Sequence, residues 1–192
     1  MKKSSEVLTK EQILLATEET LRRFGVAKTS VTDVAKVLNV SHGTIYRHFK
    51  NKKEILEAAT EMWLDERILK PLTDVYEKSS MKGAERVRAY VQKLIELKRY
   101  YAREDEELFN MYAKVTNEAT ELINRHIGHI LEQIRDMIIG GGIDSGDPAQ
   151  LARSIFYATA RYHHPAHAYE WKRDTIDQEF NDVWELLEKG FL

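Results

Sequence analysis

The sequence predicts an all-α protein in which an N-terminal helix-turn-helix unit of three helices precedes a larger helical body, with about nine helices in total. Apolar residues recur at spacings of three and four along most of the 192 residues, which is the period of one helix face. No segment alternates apolar and polar residues as a strand does. Residues that favour helix N-termini, such as Thr9, Ser30, Ser41 and Asn51, divide the chain into separate helices.

The composition is that of a folded globular protein, with 43% hydrophobic and 31% charged residues. No apolar run approaches the roughly 18 residues of a membrane span, and no apolar segment of signal-peptide type follows the N-terminus. We therefore expect a cytoplasmic protein without a membrane partner. The absence of cysteine excludes disulfides, thiolate zinc sites and a cysteine nucleophile, and no motif calls for a cofactor.

Charge is distributed unevenly along the chain. The net charge is −2, yet residues 1–60 carry 11 Lys and Arg against 7 Asp and Glu, while residues 61–192 are net acidic. Between Ser41 and Lys53 there are four basic residues and no acidic one. A small basic patch on an acidic body predicts a local nucleic-acid footprint, although a solvated helix face would carry the same charges.

The first two helices have clear sequence boundaries. One is predicted over residues 9–24 and ends at Gly25, where a helix C-cap is favoured. The next begins at Ser30, with Asp33 completing the cap three residues later. It ends at Asn39, because Asn tolerates the left-handed conformation that stops a helix sharply.

The third helix is predicted to start at the cap residue Ser41. Ile45 and Phe49 lie one turn apart and should point into the core, which leaves His42 and Arg47 on the outer surface. The short apolar side of this helix indicates that its other side faces a partner or solvent.

The fourth helix, capped by Asn51, has an unfavourable first turn. Lys52 and Lys53 place positive charge at the positive end of the helix dipole, at a cost of a few tenths of a kcal/mol. A bound anion would remove this conflict, because free N–H groups and both lysines would then face it. A DNA phosphate is the candidate anion.

The body continues the helical pattern. The fourth helix should run until Pro71 disturbs it, and the glycine-rich run 140–146 should end a later helix. Further helices are predicted over residues 84–102, 104–115, 118–139, 148–162 and 174–190.

The stretch VSHGTIYRHFKNKKEIL over residues 40–56 resembles the TetR family of bacterial one-component transcriptional repressors. Residues 24–25, 29–31 and 34–35 support the match, and Asn39 departs from it, since Gly is usual there. The resemblance implies a DNA-binding domain over residues 1–51 and a regulatory and dimerisation domain over residues 52–192, linked by the helix from 52. It also implies a homodimer, which is not an enzyme, released from a palindromic operator in double-stranded DNA by an unknown small molecule.

Site residues follow from the same match. Tyr46, His48 and Lys52 correspond to phosphate-holding positions, whereas Thr44 and Arg47 correspond to positions near the bases. Their chemistry agrees, since Arg can pair with a guanine edge and Lys or Tyr can position a phosphate. The predicted DNA-contacting residues are Ser30, Thr32, Ser41, His42, Gly43, Thr44, Tyr46, Arg47, His48 and Lys52.

Two further sets are expected in the body, and plain core packing is the alternative for most of their members. For Arg161, pairing with an acid, orienting an anionic ligand and reaching the surface stay open. The candidate ligand pocket comprises Trp63, Tyr101, Phe109, Tyr112, His126, Phe156, Arg161 and Tyr162. The candidate dimer interface comprises Leu151, Ile155, Ile176, Phe180, Val183, Trp184 and Leu187.

Two other functions compete with this interpretation. An all-helical metal-dependent hydrolase could use the histidines, of which His126 and His129 are three apart and three others cluster near Pro165. No carboxylate or cysteine completes a standard ligand pattern by spacing, so no metal site is predicted. The simpler interpretation is that His163 and His164 hydrogen-bond backbone freed by the Pro165 bend. A helical adaptor could instead use the surface around residues 42–53 to bind a protein.

Overall fold

A computed structural model of the chain describes residues 8–144 and 146–191, without the side chain of Phe191. Within these ranges the chain is helical and contains no strand, which confirms the predicted all-α class. The helices are α1 (Lys10–Lys28), α2 (Val31–Val37), α3 (His42–Tyr46), α4 (Lys52–Leu64), a π-helix (Asp65–Leu69), α5 (Lys70–Lys78), α6 (Gly83–Glu104), α7 (Glu106–Glu118), α8 (Thr120–Gly140), α9 (Pro148–Ala158), α10 (Ala160–His163), a 3-10 helix (Pro165–Glu170) and α11 (Ile176–Phe191).

The chain packs as two compact units. The first contains the chain up to Met62 together with Asp105–Glu118, and the second contains Trp63–Glu104 and the chain from Ala119 onward. The predicted boundary after residue 51 separates a DNA-binding from a regulatory domain, and this division of function stays a prediction. The first seven residues of the predicted DNA-binding domain lie outside the described residues. Within the described ranges, no helix is both long and apolar enough to cross a membrane.

The predicted N-caps are confirmed. Thr9 and Gln12 form a reciprocal capping box at α1, and Ser30 and Asp33 form another at α2. The side chain of Asn51 accepts a 2.9 Å hydrogen bond from the backbone N–H of Glu54 at the start of α4. These bonds satisfy N–H groups that a helix cannot pair internally, so local side chains determine where these three helices begin.

Gly25 interrupts α1, as its position in the sequence indicates, but a last turn continues to Lys28. Its backbone lies in the left-handed region, with φ 72° and ψ 166°. A Cβ there would stand 2.9 Å from the Glu107 carboxylate, so α7 approaches α1 closely at this point. Arg22 also bonds Asp105, with its Nη2 at 2.8 Å from the carboxylate. The helix predicted near residues 104–115 therefore packs with the N-terminal helices.

Pro71 disturbs the long fourth helix as predicted, and the disturbance has a defined form. The backbone stays helical but widens into a π-helix over Asp65–Leu69, immediately before α5 begins. Proline lacks an N–H, and its ring would clash with the carbonyl of Arg67 in a regular α-helix. The wider turn accommodates the ring without ending the helix.

The second unit is built around α6, α8 and α9. Its core contains fully buried side chains such as Leu94, Ile134 and Trp184. At the end of α8 the backbone of Gly141 lies against that of Gly83, and a Cβ on Gly141 would stand 2.8 Å from the Gly83 Cα. The glycine-rich run thus ends the helix, as predicted, and also permits this close approach.

The helix predicted over 148–162 is divided at Thr159 into α9 and α10. The Thr159 hydroxyl donates a 2.9 Å hydrogen bond to the carbonyl of Ile155. Such a bond within a helix bends it and competes with the backbone ladder. The sequence pattern of apolar residues is unbroken here, so it did not reveal the division.

Candidate nucleic-acid interface

The recognition surface, defined here as the outward side of residues 41–53, is held from behind by two buried side chains. Ile45 and Phe49 are 0% and 3% exposed, as the sequence predicts. Ser41 caps α3 by accepting a 3.2 Å hydrogen bond from the Thr44 N–H. Asn39 adopts φ 52°, the left-handed conformation expected at the sharp turn before α3.

The outward side chains of α3 are available to a partner. His42, Gly43 and Arg47 are exposed, and Tyr46 retains 48% exposure. The rings of His42 and Tyr46 meet edge to face with centroids 6.1 Å apart. This contact orients two hydrogen-bonding groups on the same face of the helix.

All ten predicted contact residues lie in the first unit, and none of them is fully buried. Thr32, Ser41, His42, Gly43, Tyr46 and Arg47 are exposed, whereas Ser30, Thr44, His48 and Lys52 are half-buried. Whether they touch DNA stays a prediction.

Several of the ten also bond within the chain. The Ser30 hydroxyl donates to the Asp33 carboxylate at 2.5 Å, which together with Lys36 lowers the pKa of Asp33. The Thr44 hydroxyl lies 2.9 Å from that of Ser41. Hydroxyls that already have a partner contribute to a contact mainly through their remaining donor or acceptor capacity.

Lys52 has a structural role that the sequence does not reveal. Its ammonium donates a 2.8 Å hydrogen bond to the Val26 carbonyl, which ties the start of α4 to the end of α1. Partial burial, followed by repulsion from Lys114, lowers the pKa of Lys52. Lys53 lies 3.7 Å from the Glu57 carboxylate. An ammonium has three donors, so Lys52 can keep the Val26 bond and still offer N–H groups to an anion.

The eight candidate pocket residues do not fall in one unit. Phe109 and Tyr112 are buried in the first unit, with ring centroids 5.6 Å apart. The other six lie in the second unit, where Trp63 and Tyr101 meet edge to face at 5.4 Å. His126, Phe156 and Tyr162 are buried there.

Arg161 pairs with acids, which is the first of the three alternatives that the sequence left open. Its guanidinium bonds the carboxylates of Glu170 and Glu179, each at 2.6 Å, and its side chain is 36% exposed. These bonds raise the pKa of Arg161, and with His167 they lower the pKa of Glu170 to about 2. The charge is neutralised within the chain, so Arg161 is a poor candidate for holding an anion.

The candidate dimer residues divide by burial. Ile155, Ile176, Phe180 and Trp184 fill the core of the second unit, which is the role that the sequence left open beside the dimer face. Leu151, Val183 and Leu187 are half-buried. Two large apolar residues that the sequence did not single out are more exposed: Tyr157 on α9 at 60% and Leu186 on α11 at 71%. Each of these two residues is an apolar side chain outside the buried stripe of its helix, and this position was the signal that the sequence offered.

His163 and His164 both bond backbone, as the simpler interpretation expects, but the partner of His163 lies at the division between α9 and α10 and not at the Pro165 bend. The Nε2–H of His163 donates to the Phe156 carbonyl at 3.2 Å, and Nδ1 of His164 accepts from the Ala166 N–H at 3.2 Å. In residues 8–144 and 146–191 no group of three potential ligands could hold a metal ion. No arrangement described by the structure therefore favours the hydrolase alternative.

Sequence reasoning missed Lys98, whose side chain is only 2% exposed. Its position was a signal, because Lys98 follows Leu94 by four residues and precedes Tyr101 by three, on the apolar face of α6. Its ammonium lies 5.7 Å from the centre of the Trp63 ring, a cation–π distance.

Comparisons with known proteins agree with this architecture. A family model described as "Bacterial regulatory proteins, tetR family" matches residues 13–59, and one described as "Tetracyclin repressor-like, C-terminal domain" matches residues 83–184. The regulator TtgR of Pseudomonas putida is 42% identical over 50 residues, so the alignment spans 26% of this chain and only 24% of TtgR.

Two longer matches cover both units. YhgD of Bacillus subtilis (strain 168), an uncharacterised helix-turn-helix transcriptional regulator, is 30% identical over 150 residues, 74% of this chain and 76% of YhgD. The crystal structure of the regulator FadR from Bacillus subtilis in complex with stearoyl-CoA has a TM-score of 0.63 at 25% identity, covering 96% of this chain and all of that one. The chain belongs to the TetR family of DNA-binding transcriptional regulators.

Proposed function

We propose that the chain is a homodimeric repressor that binds a palindromic operator in double-stranded DNA and leaves it when a small molecule binds the second unit. The observation that carries the proposal is the recognition surface, where His42, Tyr46 and Arg47 project from a helix fixed by Ile45 and Phe49. Donors on the exposed side of a rigidly held helix suit a DNA major groove.

The chemistry of the surface assigns separate tasks to its residues. Arg47 can pair with the two acceptors on a guanine edge, and this contact discriminates between bases. The Tyr46 hydroxyl, the His48 imidazole and the Lys52 ammonium suit phosphate oxygens, which position the protein without reading sequence. These side chains match the bases and phosphates of DNA, but they do not match any particular protein surface, so the adaptor alternative has less support.

A dimer follows from the small size of this surface. The helix α3 has only five residues, so one copy reads few base pairs, and two copies related by a two-fold axis would read a palindrome. The exposed Tyr157 and Leu186, with the half-buried Leu151, Val183 and Leu187, support a contact through α9 and α11. Apolar side chains that stay exposed in one chain suit burial against a second copy.

The effector is proposed to bind in the second unit. FadR, which resembles this chain over nearly its whole length, was crystallised with stearoyl-CoA, so we propose an effector with a long apolar portion. The chain passes between the units within α4 and at both ends of α7, and these segments would transmit the effect of binding. The effector releases DNA only if it binds the released arrangement better than the DNA-bound one.

Selection of duplexes from a random pool, repeated at several salt concentrations, tests this function. The expected result is a palindromic site whose affinity falls steeply as salt rises, because basic residues displace counterions from phosphates. Sedimentation should give two chains for each palindrome. Recovery of no duplex with salt-dependent affinity would overturn the proposal.

A further inference from the structure

His126 is a buried histidine whose ring has no hydrogen-bond partner among the described residues. It lies on the inner face of α8 between Ile123 and Ile130, and 8% of it is exposed. Neither Nδ1 nor Nε2 is bonded. Buried polar groups are almost always bonded, and one that is not calls for an explanation such as a bound molecule.

Two further basic groups are buried around the same helix. Lys98 on α6 is 2% exposed and His163 on α10 is 4% exposed, and both influence the pKa of His126. Helix α6 packs against both α8 and α10. We name Lys98, His126 and His163 the buried basic cluster. One imidazole nitrogen of His163 bonds the Phe156 carbonyl.

Burial makes positive charge costly in this cluster. It lowers the pKa of Lys98 and of His126 well below their usual values, and that of His163 to about 3. The charged neighbours that act on His126, namely Lys98, His129 and His163, lower its pKa further because all of them are basic. An anion between these groups would reverse both effects, since it would favour their charged forms.

Arg161 provides a contrast within the same unit. Arg161 is a cation that holds local structure, and it bonds the carboxylates of both Glu170 and Glu179. The His126 ring receives no such partner, and an apolar side chain of similar size would fill the position without leaving unsatisfied nitrogens. Packing alone therefore does not explain a histidine at this position.

The surroundings of the cluster are aromatic and aliphatic. The Phe156 ring lies 4.7 Å from the His163 ring, and the Trp63 ring lies 5.7 Å from the Lys98 ammonium. A small polar or anionic group could replace the missing hydrogen bonds of His126, while the rest of a ligand would meet apolar surface.

We infer that the buried basic cluster binds the carboxylate of a small molecule whose remainder is apolar, with His126 as the main hydrogen-bond donor. This inference rests on the proposed function, because it specifies the polar end of the proposed effector. A carboxylate suits the cluster because it accepts hydrogen bonds at two oxygens and carries a single negative charge.

Calorimetric titration of the full chain with decanoate and with decanamide tests the inference. The two probes share the same apolar chain, but only decanoate carries a charge. Loss of charge-assisted hydrogen bonds should weaken decanamide binding by about 10- to 100-fold relative to decanoate. Equal affinity for the two probes, or no binding of decanoate, would overturn the inference.

A pair of substitutions on one helix locates the site. His126→Phe should weaken decanoate binding by about 10-fold or more, whereas His129→Phe, one turn along α8 at an exposed position, should change it by less than about twofold. Thermal unfolding checks that both variants fold, and the comparison of the two probes on the unaltered chain stands even if one does not. Undiminished decanoate affinity in folded His126→Phe would refute the assignment. The titrations contain no DNA, so they test ligand binding alone. A chain that fails to bind DNA in the duplex selection could therefore still bind decanoate here.

Discussion

The recognition surface of the first unit and the buried basic cluster of the second unit use similar side chains in opposite environments. Arg47 and His42 are exposed to solvent, where a cation costs little and can reach a phosphate or a base. His126 and His163 are at most 8% exposed, where a charged form is costly. The difference fits the two anionic partners that we propose, a polymer approached from outside and a small molecule enclosed by the fold.

Lowering the pH should destabilise the second unit through its buried histidines, and this is the largest expected effect. An unfolded histidine takes up a proton near pH 6.5, whereas the pKa of folded His163 is about 3 and that of His126 is also lowered. Between these values the unfolded chain binds more protons, so stability falls with pH. From about pH 7 to about pH 5 the loss from His163 should be roughly 2 kcal/mol, and His126 should add to it.

Urea denaturation at the two pH values measures this loss. The pKa of Glu170 is about 2, so its ion pairs persist throughout this pH range. His126→Phe should reduce this pH dependence, because one buried histidine is gone, while His163 and His164, whose pKa values are also lowered, keep the remainder. A free energy of unfolding that does not change between the two pH values would contradict the buried neutral state of these rings.

Replacing Arg47 by Ala tests the other side of the comparison. Loss of a bidentate contact to a base should cost about 1–3 kcal/mol of binding free energy on the selected duplex, and preference at one or two base pairs should relax. Arg135→Ala is the matched control, because Arg135 is partly exposed in the second unit and pairs only with neighbouring Asp136 among the contacts described. Fluorescence anisotropy with base-substituted duplexes measures the change, and an equal loss on every sequence would refute a reading role for Arg47.

Glycine substitutions compare how tightly each unit is packed. Gly141→Ala forces a Cβ to 2.8 Å from the Gly83 backbone and should cost about 1–3 kcal/mol of unfolding free energy. Gly25→Ala meets the flexible end of Glu107 but keeps a positive φ, so it should cost about 1–2 kcal/mol. Gly128→Ala has open space within α8 and should instead stabilise by about 1 kcal/mol. Denaturant titration that ranked the three variants otherwise would contradict these packing contacts.

Lys52→Ala gives the smallest and most diagnostic effect. If Lys52 holds a phosphate, the slope of log affinity against log salt should fall by about one, equally for all sequences. If it serves only the Val26 carbonyl, the variant should lose about 1 kcal/mol of stability with an unchanged slope. We expect both changes, and an unchanged slope would remove Lys52 from the DNA interface.

Local features of the fold could be predicted from the sequence, whereas long-range ones could not. The caps at Thr9, Ser30 and Asn51 depend on residues three positions apart, so the sequence displays them directly. The partner of a helix depends on tertiary packing, which periodicity does not encode. For this reason the sequence predicted α7 but did not reveal that it packs with α1.

The candidate site shows the same division. Ile45 and Phe49 lie one turn apart and point inward, and Arg47 lies about half a turn from each, so its outward position follows. The ion pairs of Arg161 with Glu170 and Glu179 required the bend at Pro165 to be in place, and spacing alone could not predict them. The bond from Lys52 to Val26 joins residues 26 apart. The sequence therefore did not reveal this structural reason for a lysine at the start of α4.

We propose that an anion bound inside the second unit governs DNA binding by the first. The most direct measurement is the affinity of the unaltered chain for its selected palindrome, determined by anisotropy with increasing decanoate and, in parallel, with decanamide. We predict that decanoate weakens DNA binding progressively, whereas decanamide at equal concentration has much less effect. DNA affinity that stays constant while calorimetry shows decanoate bound would contradict it.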